Sequence, residues 1–362
     1  MILEYSIEKE KEWEEVVRSF NDYDIYYLPN YVKAFMYHGD GEPVLIYYKN
    51  NEIRAINVVM IRDIEQDDKF MNKIPRNVYF DITTPYGYGG FLIEGHITKD
   101  SIDSLNDEYS NYCKGKGIIS EFVRFHPYNK MTYKLKDIYD IEEIGKTISI
   151  KLISLEGIWN NLTSSNRNKV RKAEKSGVKI YWGQDPLLYE KFIPLYNSTM
   201  DKDSAKSYYY FSTKFYESII KDCKFNSCVF YAIYEEKIIA MAIILYSNER
   251  MHYHLSASDS NYKHLAPTNL LLYEAACLGC LNGYHTFHLG GGLGSKEDNL
   301  YKFKSTFNRD ESNVFKIGKR IFDEKKYEDL INIRKNDNFN KNEEELDRNK
   351  GTYFPLYRAE NL

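Results

Sequence analysis

His288-Leu-Gly-Gly-Gly-Leu-Gly-Ser-Lys-Glu-Asp-Asn-Leu-Tyr-Lys-Phe-Lys-Ser-Thr-Phe307 is the stretch on which the reading of this chain turns. Thr286-Phe287-His288-Leu289 alternates as the end of a strand does. Four glycines follow at once: Gly290, Gly291, Gly292 and Gly294. Glycine there lets the backbone turn sharply and lets another group approach the main chain closely. Lys304 comes twelve residues after Gly292 and can bring a cation back to the same place. A bare-backbone loop beside an ammonium suits an anion, or a carbonyl oxygen that becomes one during reaction. A tight turn leading into an ordinary amphipathic segment is the competing reading.

Composition bounds the rest. At 362 residues the chain exceeds what one core usually supports, so two domains are expected. Hydrophobic residues make up 43%, enough for two cores. The 49 basic and 53 acidic residues leave a net charge of −4, so the molecule is not a polycation that coats nucleic acid, and any anion site must be local. The 34 tyrosines, against 3 tryptophans, supply apolar area with a polar tip, as wet clefts need. The first residues are acidic, and no run approaches the roughly 18 apolar residues of a membrane span. Five cysteines at irregular spacing fit a reduced, cytoplasmic protein. Cys277 and Cys280, with Cys223 and Cys228, have the ligand count of a zinc site. Neither pair has a metal-knuckle context, so no metal is expected.

The pattern divides the chain in two. The first half opens with a helix, Lys9 to Phe20, apolar at Trp13, Val16, Val17 and Phe20. A hairpin follows, Pro43 to Tyr48 and Ile53 to Ile61. Then come the Gly/aromatic segment 83–90, a helix from Lys99 to Lys114 and a strand from Ile118 to Phe125. The turn-rich segment 128–146 reads as the boundary. The second half repeats the plan with strands Phe225 to Tyr234, Lys237 to Tyr246 and Met251 to Ala257, a helix over 267–281, and the strand that enters the glycine loop. The expected fold class is α+β with mixed sheets, rather than doubly wound α/β. The expected domains are 1–146 and 147–325, with a charged C-terminal segment, 326–362, packing back on the body. The strongly charged stretch Lys325 to Asn349 reads as helical or loose.

Two more segments invite a chemical reading. A helix starting at Ser164, Ser165 or Asn166 and ending at Gly177 puts Arg167, Arg171 and Lys175 on one face. Such a stripe suits phosphate, as a pyrophosphate or an RNA backbone, although a solvated helix face has the same pattern. His252 and His254 alternate on one strand, and His288 heads the glycine loop, where an imidazole can take a proton near neutrality. No Walker loop and no nucleophile elbow occurs.

At these residues the chain resembles the Fem-type aminoacyltransferases and their acyltransferase relatives in the GNAT superfamily. The matching pieces are Pro85-Tyr86-Gly87-Tyr88-Gly89-Gly90, Trp159-x-x-Leu162 with Arg167 to Val178, Tyr208-Tyr209-Tyr210-Phe211, His252 to Ser256, Phe287 to Gly292 with Leu300-Tyr301-x-Phe303-Lys304, and Phe354-Pro355-Leu356-Tyr357-Arg358. The resemblance implies two tandem GNAT-like domains, the acyl-CoA N-acyltransferase fold. It implies transfer of an aminoacyl group from aminoacyl-tRNA to an amine of a peptidoglycan or other cell-envelope precursor, nucleotide- or lipid-linked. Two alternatives stay open: an acyl-CoA-dependent N-acyltransferase acting on an amino sugar for a surface polysaccharide, and a non-catalytic binding protein that keeps the fold. Neither transferase reading needs a tightly bound cofactor; aminoacyl-tRNA or acyl-CoA is a co-substrate.

By the same resemblance Lys304 and Phe303 lie beside the reacting carbonyl, and Glu94 stands where relatives carry an aspartate after the first-domain loop. His288 joins them as a catalytic candidate. Tyr86, Tyr88, Arg167, Arg171, Lys175, Tyr210, His254, Gly290, Gly291 and Gly292 are the substrate- or phosphate-binding candidates. Two departures stand out. No coiled-coil arm is inserted between 182 and 225. The place of the coenzyme A pyrophosphate loop reads Tyr262-Lys263-His264-Leu265-Ala266-Pro267-Thr268, without glycine.

Overall fold

In the computed structural model, which describes residues 1–309, 312–337 and 353–360, the chain forms two compact units. Unit 1 comprises Met1–Glu143 and Lys316–Leu362; unit 2 is Ile144–Phe315. Residues 316–325 thus group with the first unit.

Unit 1 holds the strands β1 (Ile2–Ser6), β2 (Glu42–Lys49), β3 (Ile53–Asp63), β4 (Phe80–Thr83), β5 (Leu92–Gly95) and β6 (Ile118–Arg124). Its helices are α1 (Glu10–Arg18), α2 (Pro29–His38) and α3 (Lys99–Gly115). β1, β2, β3 and β4 pair antiparallel in turn, β5 also pairs with β3, and β4 lies parallel to β6. Thr98 caps α3 in a reciprocal capping box with Ser101. α1 buries Trp13 and Val17, the three- and four-residue rhythm of the sequence made solid.

Unit 2 holds most of β7 (Asp140–Lys151), with α4 (Leu155–Asn161), α5 (Ser164–Lys175), β8 (Lys179–Gly183), α6 (Leu187–Lys202) and α7 (Thr213–Lys221). Then come β9 (Ser227–Tyr234), β10 (Lys237–Ser247), β11 (Arg250–Ser258), α8 (Pro267–Leu281), β12 (Thr286–Gly290) and α9 (Asn299–Ser305). Its sheet runs β7-β12-β11-β10-β9-β8, antiparallel except for the parallel pair β11/β12. α8 joins that parallel pair, and the connection from β4 to its parallel partner β6 runs through β5 and then α3, so both units place a helix in the crossover between their parallel strands. Ile150, Val170, Phe230, Ile244, Leu271 and Phe287 lie in the unit 2 core. β13 (Asn313–Ile321) carries the chain back to unit 1, where it pairs antiparallel with β6, and α10 (Glu324–Asp337) follows. Residues 338–349 of the expected charged segment lie outside the described residues.

Residues 353–360 are docked on unit 1 through charge. Arg358 donates to Asp81 (2.5 Å) and Asp67 (2.9 Å), and the Tyr357 hydroxyl donates to Asp81 (2.9 Å). Arg62 completes the set on Asp81 at 2.7 Å. Burial opposes ionisation of Asp81, yet the two guanidinium groups hold it below the usual carboxylate range.

Candidate active site

The glycine loop leaves the carboxyl end of β12, and its geometry leaves little choice of residue. Gly290 has φ of 78°, in the left-handed region. A Cβ on Gly291 would stand 2.8 Å from the Lys146 carbonyl oxygen, and one on Gly292 would overlap the Lys296 carbonyl and the Asp298 carboxylate. The loop therefore folds back on the Asp298 side chain, which binds it at both ends. Asp298 Oδ1 caps α9 by accepting from the Tyr301 N–H (2.9 Å), and Oδ2 accepts from the Leu293 N–H (3.1 Å). Those N–H groups, with Lys304 nearby, keep the Asp298 carboxyl below its ordinary pKa although burial pushes the other way.

α9 then delivers Lys304. Its side chain is only 8% exposed, and Nζ donates to the Gly291 carbonyl at 2.7 Å. A Cβ on Gly290 would stand 3.3 Å from that nitrogen, and the Tyr253 ring centroid is 5.9 Å away. Burial, which opposes the charge, brings the ammonium down to a pKa of about 8, while Asp298 holds it up. Among the described residues one of its three N–H bonds has an acceptor on the protein.

The strands part where this ammonium sits. β11 and β12 pair from Arg250↔Thr286 to His252↔His288, after which β11 runs on to Ser258. Both strands bulge just beyond that pair. His254 is the extra residue between Tyr253 and Leu255, and Leu289 the extra residue between His288 and Gly290. His252 and His288 are buried with ring centroids 5.8 Å apart. Burial, helped by His252, drives His254 down to a pKa of about 3, so it stays neutral near pH 7 and brings no charge to a phosphate.

Two of the singled-out segments converge here. The Thr163 N–H donates to the Thr306 carbonyl (2.9 Å), Asn161 donates to Asn308 (3.1 Å), and Arg309 reaches the carbonyls of Asn160 and Asn161. The end of α9 is thereby tied to the α4–α5 junction. Thr163, rather than Ser164, Ser165 or Asn166, caps α5, with its hydroxyl 3.2 Å from the Asn166 N–H. That frees Asn166 to face inward and accept from Asn269 of α8 at 2.8 Å. On the outer side Arg167 binds the Leu162 carbonyl (2.6 Å), Arg171 lies over Trp159 (4.9 Å), and Lys175 is exposed. Phe303 packs edge-on against Phe307 (5.5 Å) at the rim of the core.

Other candidates have local partners. The Tyr210 hydroxyl donates to Asp201 at 2.7 Å. In unit 1, Glu94 accepts from Arg54 Nε (3.0 Å) and from the Asn21 N–H (2.7 Å), so its carboxylate is already engaged. Tyr86 stacks on Phe35 (5.2 Å), and Tyr88 meets Tyr26 and His126 edge-on. Asp298 and Tyr253 were not anticipated. Asp298, two residues ahead of the apolar run that starts at Leu300, has the residue type and place of a helix N-cap; Tyr253 stands inside the His252 to Ser256 match with no role assigned to it. Among the described residues the cysteines form no cluster with metal-ligand geometry, and burial raises the Cys228 and Cys277 thiols to about 11.

With this geometry in view the comparisons can be read. The Acetyltransferase (GNAT) domain family matches residues 162–304, from the α4–α5 junction to Lys304 itself. No curated protein matches the chain. The fold is similar to that of FemX, with a TM-score of 0.66 at 14% identity over 90% of this chain and 99% of that one. It is also similar to the C-terminal domain of a putative lysylphosphatidylglycerol synthetase from Agrobacterium fabrum (TM-score 0.54, 11% identity, 87% and 92% covered). A conserved protein of unknown function from Bacteroides thetaiotaomicron has a TM-score of 0.56 at 10% identity, with 88% and 99% covered. The fold is α+β with mixed sheets and GNAT-like, and the match to the GNAT acetyltransferase domain family is confined to residues 162–304. No helix among the described residues is long and apolar enough to cross a membrane.

Proposed function

We propose that this chain is an acyltransferase whose reaction centre lies where β11 and β12 part, with the Lys304 ammonium as the group that meets the carbonyl oxygen. The observation that carries this is the pairing of a buried ammonium with a loop of bare backbone: Nζ is tied by one hydrogen bond to Gly291 and keeps two N–H bonds for another acceptor.

The chemistry follows from that placement. A neutral amine attacks the carbonyl carbon of an ester or thioester, the C–N bond forms, and the π pair moves onto oxygen. The Lys304 N–H bonds stabilise that oxyanion in a site from which water is largely excluded, an effect worth about 3 kcal/mol. Collapse expels the alkoxide or thiolate, and the proton shed by the attacking nitrogen neutralises it. Gly290 lets the carbonyl approach, since a Cβ there would stand 3.3 Å from the Lys304 nitrogen, while Gly291 lets the loop pass close to the Lys146 backbone. In this reading His288 and Phe303 serve the same centre, and Arg167, Arg171 and Lys175 offer a positive face for the donor's phosphates.

The favoured donor is aminoacyl-tRNA, with an amine of a peptidoglycan or other envelope precursor as acceptor. The outward cations of α5 suit a polyanion, and the fold likeness to FemX runs over 99% of that chain. An acyl-CoA donor acting on an amino sugar is the second reading, favoured by the acetyltransferase family match at 162–304. Transfer of label from each donor to amine acceptors, together with donor binding over a salt series, separates the two. Aminoacyl-tRNA should be the productive donor, with a steep salt slope that flattens in Arg171→Gln/Lys175→Gln. Productive acetyl-CoA with a shallow slope would select the second reading, and transfer from neither would leave only a binding protein.

A further inference from the structure

The hydrogen bonding of Lys304 gives it a second chemistry once it loses its proton. Nζ donates to the Gly291 carbonyl at 2.7 Å, and among the described residues its other two N–H bonds have no acceptor on the protein. A carbonyl only accepts, so the bond to Gly291 keeps its proton and the one lost comes from a free position. The lone pair left behind takes the direction in which the proposed reaction holds the acyl oxygen. The acyl carbon lies one C=O bond, about 1.2 Å, from that oxygen. A short slide of the donor sets carbon rather than oxygen against the nitrogen.

The surroundings favour a neutral amine more than those of an ordinary lysine do. The side chain is buried, and what stands against Nζ on the loop side is glycine backbone. Of the groups that titrate or carry charge around it, Asp298 on the loop favours the ammonium. Tyr253 on β11 presents its ring at 5.9 Å, and burial pushes its hydroxyl up to about 12, so it brings no charge. Lys146 on β7 and Glu297 on the loop pair with each other at 3.0 Å, and Lys302 on α9 is exposed. Burial outweighs Asp298, and Lys304 titrates at about 8 rather than 10.5. At pH 8 about half of it is neutral, against less than about 1% of a lysine that titrates at 10.5.

We propose that Lys304 is itself an acylation site, which takes the acyl group of an activated ester or thioester when no amine acceptor is bound. Nζ attacks the carbonyl carbon, the C–N bond forms, the C–O or C–S bond of the donor breaks, and the nitrogen's proton leaves with the alkoxide or thiolate. The product is an amide without charge, so the modified chain has no ammonium for an oxyanion and transfer stops. The proposal rests on the acyl-transfer reading for the approach of the carbonyl.

Labelling of the full wild-type chain without acceptor tests it. The probes are p-nitrophenyl acetate, an ester that needs no phosphate site, and acetyl-CoA, a thioester. Peptide mass spectrometry follows acetylation at Lys304, with the exposed Lys175 and Lys302 as internal references. At about pH 8 Lys304 should label at least about tenfold faster than either, since its lower basicity returns only part of the advantage in neutral amine. Its rate should climb from about pH 7 and level off by about pH 9, while the references are still climbing. In about 8 M urea the preference should vanish, which marks it as a property of the fold. Native Lys304 labelling no faster than the references, or a preference that survives in urea, would overturn the proposal. So would transfer to amine acceptors with Lys304 left unlabelled, and that result leaves the acyl-transfer reading standing. Selective labelling by the ester alone supports the proposal and counts against acyl-CoA as the donor.

Discussion

Glu121 should make the stability of unit 1 fall as pH rises through neutrality. It sits on β6, 1% exposed, opposite Arg320 on β13. One oxygen accepts from Asn57 (3.0 Å) and the Tyr139 hydroxyl (3.1 Å); the other is buried without a hydrogen-bond partner among the described residues. Burial raises its pKa to about 7, against the lowering pull of Tyr109, Arg320, Asn57 and Tyr139. A group whose folded pKa lies above its unfolded value stabilises fully below the unfolded pKa and loses that contribution as pH climbs through the folded one. The window runs from 4.5 to about 7, and its depth is about 3 kcal/mol. Glu121→Gln keeps an acceptor for Asn57 and Tyr139 and removes the titration. Urea unfolding of both proteins from about pH 5 to about pH 8, followed by Trp13 in a Trp159→Phe/Trp182→Phe background, reads the effect in unit 1. The stability difference, Gln minus Glu, should rise across that range by about 3 kcal/mol. A difference flat in pH would refute the reasoning, because it would mean that Glu121 carries the same charge folded and unfolded.

Three further outcomes are expected. Asp298→Ala removes the α9 cap and the loop tether together; it should cost about 1–2 kcal/mol in thermal unfolding and lower transfer more than it lowers stability. Gly292→Ala forces a Cβ into the Lys296 carbonyl and Asp298 carboxylate, so transfer should be lost while the far-ultraviolet spectrum holds. Asp81→Ala leaves Arg62 and Arg358 without their shared carboxylate; unit 1 should lose about 3–5 kcal/mol in denaturant unfolding, and proteolysis near residue 353 should quicken.

The parts of the fold written in local periodicity were legible. α8 and the hairpins β2–β3 and β9–β10 fall close to where alternation and turn residues put them, and the Thr286–Leu289 alternation did lead into the glycine loop. Non-local pairing was not legible. β13 finds its partner in β6, nearly two hundred residues earlier, and no window holds both. β8 is an edge strand with Tyr181 and Trp182 both exposed, so it lacks the half-buried rhythm that marks a strand. The return of Lys304 to the glycine loop could be read, because glycine and lysine are residue types that restrict what a segment does. Asp298 looked like one of several polar loop residues until its two hydrogen bonds were seen. Glu94 looked like a spare carboxylate because its partners, Arg54 and Asn21, lie 40 and 73 residues away in sequence.

The centre of the account is the charge on Lys304, and the transfer rate of Lys304→Met against wild type, followed across pH, tests it most directly. Methionine keeps the chain's bulk and removes the ammonium. The account predicts a fall in kcat of about a hundredfold to a thousandfold with donor binding little changed. It also predicts a wild-type rate that declines above about pH 8 as the ammonium loses its proton, a limb missing from the variant's residual rate. A methionine variant that turns over at the wild-type rate, or one that keeps the same alkaline limb, would contradict it.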